Sequence, residues 1–326
     1  MVTISSPTSS TKLFRAGANS RTAVVAGCMI LLAHLVCFQP GAAAQTEAAP
    51  DSLVLLEQTE TPYNNVFVYR RGDMILMRFK RLGKVFNESA IYPANPLELA
   101  FSHYKVMPVG LLYVDEPKKL LMIGLGGGTT SRYIHHHIPS LEIETVELDP
   151  GVIAAATKYF GAVEDSTYSI TATDGRIFLI RNPARYDIII VDAFRGGYIP
   201  FHLTTQEYYE LIKSRLKPGG CMVANVNGGS RLFDSTLLTL NSVFEVVDTF
   251  SSEGDNVITV SYMGARKTEE ELAVRAASLQ LRFQFRHDIG EIVSARFAVK
   301  IDPNAMLLTD DFSPANYLNA IGRHNQ

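Results

Sequence analysis

The sequence predicts an α/β protein: a largely parallel sheet with helices on both faces, preceded by a small antiparallel β domain. Three observations predict it. After Pro117 short, continuously apolar runs alternate with helical patterns; the first run opens into the glycine-rich stretch "GLGGGTT"; and residues 53–85 alternate instead, with many β-branched and aromatic residues. Continuously apolar strands separated by helices belong to a parallel sheet buried on both faces. Alternation broken by turn residues marks an antiparallel sheet with one face in water.

The chain of 326 residues can bury a sizeable core. A hydrophobic content of 47% with 19% charged residues excludes a disordered chain. The net charge of −3 offers no basic face, so nucleic acid is not an expected partner.

Residues 1–44 hold Lys12, Arg15 and Arg21 but no acid, then the apolar run "TAVVAGCMILLAHLVCF", then Ala42 and Ala44 in an A-x-A arrangement before Gln45. That order is the order of a secretory signal peptide. The sequence therefore predicts an exported protein, periplasmic or secreted if the signal is cleaved. Uncleaved, residues 22–38 are a membrane tether at the short limit of a spanning helix, anchoring the protein in the inner membrane. Cleavage leaves 27 basic against 33 acidic residues and Cys221 as the lone cysteine, so no internal disulfide can form.

Residues 45–115 read as a leader, a small β domain and a linking segment. "NVFVYRR" and "MILMRFKRLG" are its strand signals, and "NPLELAFSHYKVMPVGLLY" has helical spacing. Residues 116–326 read as the larger domain. Its strands are "KLLMIGL", "IETVEL", "YSITAT", "YDIIIV" and "CMVANV", separated by the helical patterns "TTSRYIHHH", "PGVIAAATKYF", "GRIFLIRN" and "TTQEYYELIKSRL". "FEVVDTF" and "NVITVSYMG" predict a closing antiparallel hairpin, and "TEEELAVRAASLQLRFQF" a structural amphipathic helix.

Ligands of open α/β sheets bind at the carboxyl ends of the strands. The first strand delivers Gly124, Gly126, Gly127 and Gly128; the second Glu147 and Asp149; the third Asp174 and Gly175; the fourth Asp192. Glycines beside a helix N-terminus let a ligand lie against the backbone, and an acid after the second strand suits ribose hydroxyls. The loop is not a P-loop. A dinucleotide stays open, but an acid after the third strand is where S-adenosylmethionine-type sites read an adenine amino group. Four acids also complement a sulfonium better than a pyrophosphate. No cysteine and histidine spacing resembles a metal site, and His135–His137 read as a solvated helix end, since successive helical residues diverge. His202 reads as a solvated loop residue rather than a second base, Tyr198 and Phe201 as covers of an acceptor pocket or as packing alone, and Asp310–Asp311 as a cap for a helix at Ser313 or a closure over the active site.

With those residues in place, "KLLMIGLGGGTTSRYI…IETVELDPGVIAAATKYF…ITATDGRIFLIRNPARYDIIIVDAF…TTQEYYELIKSRLKPGG" resembles the polyamine aminopropyltransferases, the spermidine synthase family. The resemblance implies a Rossmann-like fold of S-adenosylmethionine-methyltransferase type. It also implies decarboxylated S-adenosylmethionine as co-substrate, with no permanently bound cofactor, and a small-molecule amine such as putrescine as acceptor. Gly124, Gly126 and Gly128 would line the donor, Glu147 would hold its ribose, and Asp174 with Gly175 would meet its adenine, with Asp149 a further acid of the cofactor site. Asp192 would orient and deprotonate the amine, with Tyr104 and Tyr198 at the substrate. A homodimer is compatible with this reading.

Three positions depart from the family pattern. Gly127, Arg195 and Val106 stand where the family carries acids; each charge contact so lost to a buried amine costs roughly 1.5–3 kcal/mol. Two other functions stay open: an S-adenosylmethionine-dependent methyltransferase, and an exported non-catalytic binder of a nucleoside or polyamine. Export favours the binder, because neither donor is expected outside the cytoplasm.

Overall fold

The computed structural model describes residues 52–81 and 83–311. The expected signal segment, the leader to residue 51 and the helix expected at Ser313 lie outside the described residues.

Strands β1 (Leu53–Glu60), β2 (Asn65–Arg71), β3 (Met74–Arg81) and β4 (Lys84–Ile91) form an antiparallel meander in sequence order. Alternation does what the sequence implies: Val66, Val68, Ile75, Met77, Phe79 and Ile91 point to one side and pack on Val152, Ala155 and Phe160 of the larger domain. Between β3 and β4 the register slips. Met77 pairs with Ser89 and Arg78 with Asn87, which leaves Glu88 as the extra residue of a β-bulge.

The linking segment is not the single helix its periodicity suggests. It forms a short α1 (Ser102–Val106) followed by a 3₁₀ turn over Met107–Leu112. Pro108 cannot donate to a continuing α-helix, and Gly110 is pressed flat on the sheet, where a Cβ would come within 2.7 Å of Val223 Cγ2.

The large sheet contains β5 (Lys119–Ile123), β6 (Glu142–Glu147), β7 (Tyr168–Ala172), β8 (Tyr186–Val191), β9 (Leu216–Asn227), β10 (Val246–Ser251), β11 (Asn256–Tyr262) and the two-residue β12 (Arg296–Phe297). Their order is β12-β10-β11-β9-β8-β5-β6-β7. From β9 through β7 every pairing is parallel. The predicted hairpin, β10 and β11, continues the sheet antiparallel to β9.

Side chains alternate across this sheet. Leu120 and Met122 join a core with α2 (Thr129–His137) and α7 (Glu269–Phe283). Leu121 and Ile123 face α4 (Gly175–Arg181), α5 (Gln206–Arg215) and α6 (Phe233–Val243). The amphipathic α7 starts with a capping box between Thr268 and Glu271. The "PGVIAAATKYF" pattern is α3 (Pro150–Ala155), which widens into a π-type turn over Ala156–Phe160.

The histidine run is only partly solvated, which corrects the sequence reading. His136 is exposed, but His135 Nε2 meets Asp165 Oδ2 at 2.8 Å, and His137 packs on Tyr133 and Phe285 while its Nδ1 lies 3.2 Å from the Phe283 carbonyl. The rings diverge as helix geometry requires, and α7 covers one of them.

Candidate active site

A cavity of about 460 Å³ lies at the carboxyl ends of β5, β6 and β8, with the β domain and α1 as its far wall. Strand order reverses around β5, so the cavity sits at the switch point where α/β sheets bind ligands. Gly124, Gly126, Glu147, Asp174, Gly175, Asp192 and Tyr104 all line it. Gly124 is obligatory: its φ is +96°, and a Cβ would collide with the Asp192 carbonyl.

Three expected site residues do not line the cavity. Gly128 precedes α2 and packs toward Ala162. Asp149 is fully buried, with both oxygens engaged. It caps α3 through the Gly151 N–H (2.9 Å) and accepts from Thr61 Oγ1 (2.7 Å) and Asn64 Nδ2 (2.9 Å), tying the β1–β2 turn to the larger domain. Tyr198 is absent from the lining, as is Phe201; the Tyr198 carbonyl instead accepts the Arg195 N–H. Loop backbones, not the side-chain types read from sequence, decide these directions.

The remaining carboxylates are held. Glu147 accepts the Leu125 N–H (3.0 Å) and the Asp149 N–H (2.9 Å), one on each oxygen. The Gly126 N–H also acts on this carboxylate, and with three amides on about four lone-pair sites one site is left for a ribose hydroxyl. Burial raises its pKa against the pull of those amides. Asp174 caps α4 through the Arg176 and Ile177 N–H groups, both at 2.9 Å, and its other oxygen meets His202 Nε2 at 2.8 Å. Burial would raise this carboxyl, but His202 and the two amides outweigh it and hold its pKa low. His202 is exposed, as a solvated loop histidine is expected to be, and it also reaches the cavity lining, where its ring nitrogen meets Asp174. Asp192 Oδ1 accepts from Asn225 Nδ2 at 3.0 Å.

The helix that Asp310 is expected to cap lies outside the described residues. Asp310 accepts from Arg176 and from Thr205, the residue that caps α5, and so clasps the C-terminal segment to α4 beside Asp174.

The sequence reading missed one wall of the site. Glu88, Ser89, His103 and Asn225 line the cavity, the first two from β4. Ser89 Oγ accepts the Gly127 N–H at 2.7 Å, and Tyr104 Oη donates within 3.3 Å of both Ser89 Oγ and the Glu88 carbonyl. The signal was present: "FNESAI" places a polar triplet within a strand, where the alternation changes phase. Glu88 is pushed up to about 7, chiefly by burial and then by the charge of Asp192. Burial lowers the pKa of His103, whose ring packs on Tyr104 at 4.3 Å.

Each of the three family departures has a local reason. The Phe160 ring occupies the space beside Gly127. Arg195 turns its guanidinium to the Tyr63 carbonyl and latches the loop after β8 to the β domain. Val106 is buried in the core behind the site, where a carboxylate would lose its water.

The lining suits an adenosyl ligand. The hydroxyl of Thr130 and the Asn225 Oδ1 are buried without protein partners, and both residues line the cavity. The lining carries five carboxylates (Glu88, Glu147, Asp174, Asp192 and Asp255) against one arginine, Arg195. Fold and cavity together define a Rossmann-like, methyltransferase-type protein with a carboxylate-rich cavity at the switch point of its sheet.

Residues 100–262, half of the chain, match the family model of the spermine/spermidine synthase domain. The chain is 29% identical over 301 residues to a polyamine aminopropyltransferase of Vibrio vulnificus, covering 89% of this chain and 98% of that protein. Its fold aligns with a spermidine synthase in complex with the transition-state analogue AdoDATO (TM-score 0.60, 20% identity, 76% of this chain and 84% of that one). It also aligns with human methyltransferase-like protein 13 in complex with SAH (TM-score 0.53, 25% identity, 63% of this chain and 97% of that one). The chain belongs to the spermine/spermidine synthase family, a family of aminopropyl-transferring enzymes.

Proposed function

We propose that the protein transfers the aminopropyl group of decarboxylated S-adenosylmethionine to an amine acceptor such as putrescine, giving spermidine and methylthioadenosine. The observation that carries this is the pairing, across one cavity, of donor-side groups with Asp192, a carboxylate held by Asn225. Gly124 and Gly126 bring the backbone close to the donor, Glu147 keeps a lone-pair site for its ribose, and Asp174 with Gly175 stands at its adenine.

The acceptor arrives as an ammonium and has no lone pair, so a carboxylate must take a proton before attack. The freed amine then displaces sulfur from the adjacent carbon, and the C–S electron pair returns to sulfur as a neutral thioether. Holding both reactants in line supplies much of the rate. Asp192 orients the amine and accepts its proton.

A methyltransferase is the second reading, favoured by the likeness to the human methyltransferase-like protein. The carboxylate-rich lining argues against it, because the extra carboxylate of S-adenosylmethionine would add a like charge. Calorimetry with S-adenosylmethionine, its decarboxylated form and methylthioadenosine separates the readings. Preference for the decarboxylated donor supports aminopropyl transfer. Tight binding of S-adenosylmethionine alone supports methyl transfer, and binding without turnover of either donor supports a non-catalytic binder.

A further inference from the structure

We infer that Glu88 and Asp192 act together as the acceptor's proton site, and that Glu88, delivered by the β4 bulge, is the group on which the amine's proton comes to rest. This rests on the aminopropyltransferase reading above and adds to it a catalytic residue from the other domain.

The geometry begins with the bulge. Met77 pairs with Ser89 and Arg78 with Asn87, so Glu88 lacks a cross-strand partner and its side chain is freed from the strict alternation of β4. Its neighbours fix that bulge in place. Ser89, 2% exposed, accepts the Gly127 N–H of the glycine loop, and the Glu88 carbonyl accepts from Tyr104. The Glu88 carboxylate lines the cavity and accepts a backbone N–H from Gly196, in the loop that follows Asp192. The charge of Asp192 acts on it directly.

A second observation points to a ligand at this spot. Asn225, 3% exposed and part of the cavity lining, uses its amide nitrogen to hold Asp192, while its Oδ1 is buried without a protein partner. An ammonium donor would satisfy that oxygen together with the two carboxylates. The three acids absent at Gly127, Arg195 and Val106 leave the acceptor short of negative charge, and Glu88 supplies it from β4.

The other ionisable groups facing Glu88 fit a proton-accepting role. Glu147 from β6 adds a like charge that raises its basicity. Asp255 and Arg195 lie on neighbouring loops of the same lining. His103, whose pKa burial lowers, and Tyr104, whose phenol burial pushes up, are neutral neighbours from α1. With its pKa at about 7, Glu88 is the carboxyl poised to take a proton near neutral pH. In the step itself the ammonium N–H bond breaks and its proton passes to the pair, resting on Glu88. The amine's lone pair forms the new N–C bond, the C–S bond breaks toward sulfur, and Glu88 then returns the proton to water.

The test is the rate of methylthioadenosine release from decarboxylated S-adenosylmethionine and putrescine between about pH 5.5 and 9, for wild type, Glu88→Gln and Glu88→Asp. The wild-type rate is expected to fall on the acid side with a midpoint near 7. Glu88→Gln is expected to lose about 10²-fold in kcat/KM for the amine, as for loss of a general base, to lose that acid limb, and to bind methylthioadenosine within threefold of wild type. Glu88→Asp restores part of the rate with a shifted limb. A Glu88→Gln rate within threefold of wild type with the limb unmoved overturns the inference. If Glu88→Gln loses methylthioadenosine binding, Glu88→Asp decides, a shifted limb supporting the inference and an unmoved one contradicting it. A wild type that transfers nothing to any amine overturns the functional reading itself, and this inference with it.

Discussion

Phe160 occupies the space that any side chain at Gly127 would need: a Cβ there would lie 2.6 Å from Phe160 Cδ1. On its other side the Gly127 N–H is taken by Ser89 Oγ at 2.7 Å. The glycine loop is therefore fixed between the π-type turn after α3 and the bulged strand β4. Gly127→Asp, which would copy the family's acid, is expected to destabilise the fold by about 1–3 kcal/mol, as overpacking does, without tightening methylthioadenosine binding. Thermal unfolding measures it; a melting temperature equal to wild type would contradict the packing account.

Asp192→Asn keeps the shape of the site and the contact with Asn225 but removes the charge. Aminopropyl transfer is expected to fall by at least ~10²-fold, with methylthioadenosine affinity within about threefold of wild type. Asn225→Ala, which leaves Asp192 its charge but not its orientation, is expected to cost about tenfold. Steady-state rates beside calorimetry separate the two effects, and undiminished turnover in Asp192→Asn would remove it from the mechanism.

Glu88 also links stability to pH. Its carboxyl holds a proton more tightly in the folded protein, at about 7, than its usual value of 4.5. Its contribution is thus fully present below about pH 4.5 and is lost as pH rises through 7. Above that range the buried charge opposes folding by about 3 kcal/mol. Glu88→Gln is accordingly expected to raise the melting temperature at pH 8 and to leave it near wild type at pH 5. Equal shifts at both pH values would show that Glu88 is not held in this way.

Export is a proposal carried by the A-x-A pattern before Gln45. Mass spectrometry of the protein recovered from its native host is expected to find Gln45 as the first residue. An intact N-terminus would refute cleavage and favour the tether at residues 22–38.

Much of this molecule is legible in the sequence because its signals are local. β5, β8 and the latter half of β9 declare themselves through continuous apolar runs, and α2 falls on the pattern "TTSRYIHHH" as read. Gly124, Glu147, Asp174 and Asp192 reach the cavity because topology places every parallel strand end on one rim. What was not legible depends on the meeting of distant segments. Asp149 looks like a ligand until Thr61 and Asn64 claim one of its oxygens and the Gly151 N–H the other. Glu88 looks like one more residue of a strand until a one-residue slip in register frees it from the alternation. Arg195 reads as a lost acid, yet its side chain is spent on the Tyr63 carbonyl in another domain.

The central claim is that this cavity moves an aminopropyl group from a sulfonium to an amine. Its most direct test is to incubate the purified protein with decarboxylated S-adenosylmethionine, with and without putrescine, and to quantify methylthioadenosine and the amine product by mass spectrometry. The account predicts methylthioadenosine release that requires the amine, matched one for one by a product heavier by one aminopropyl group. Release of neither product, or methyl transfer from S-adenosylmethionine in place of aminopropyl transfer, would contradict it.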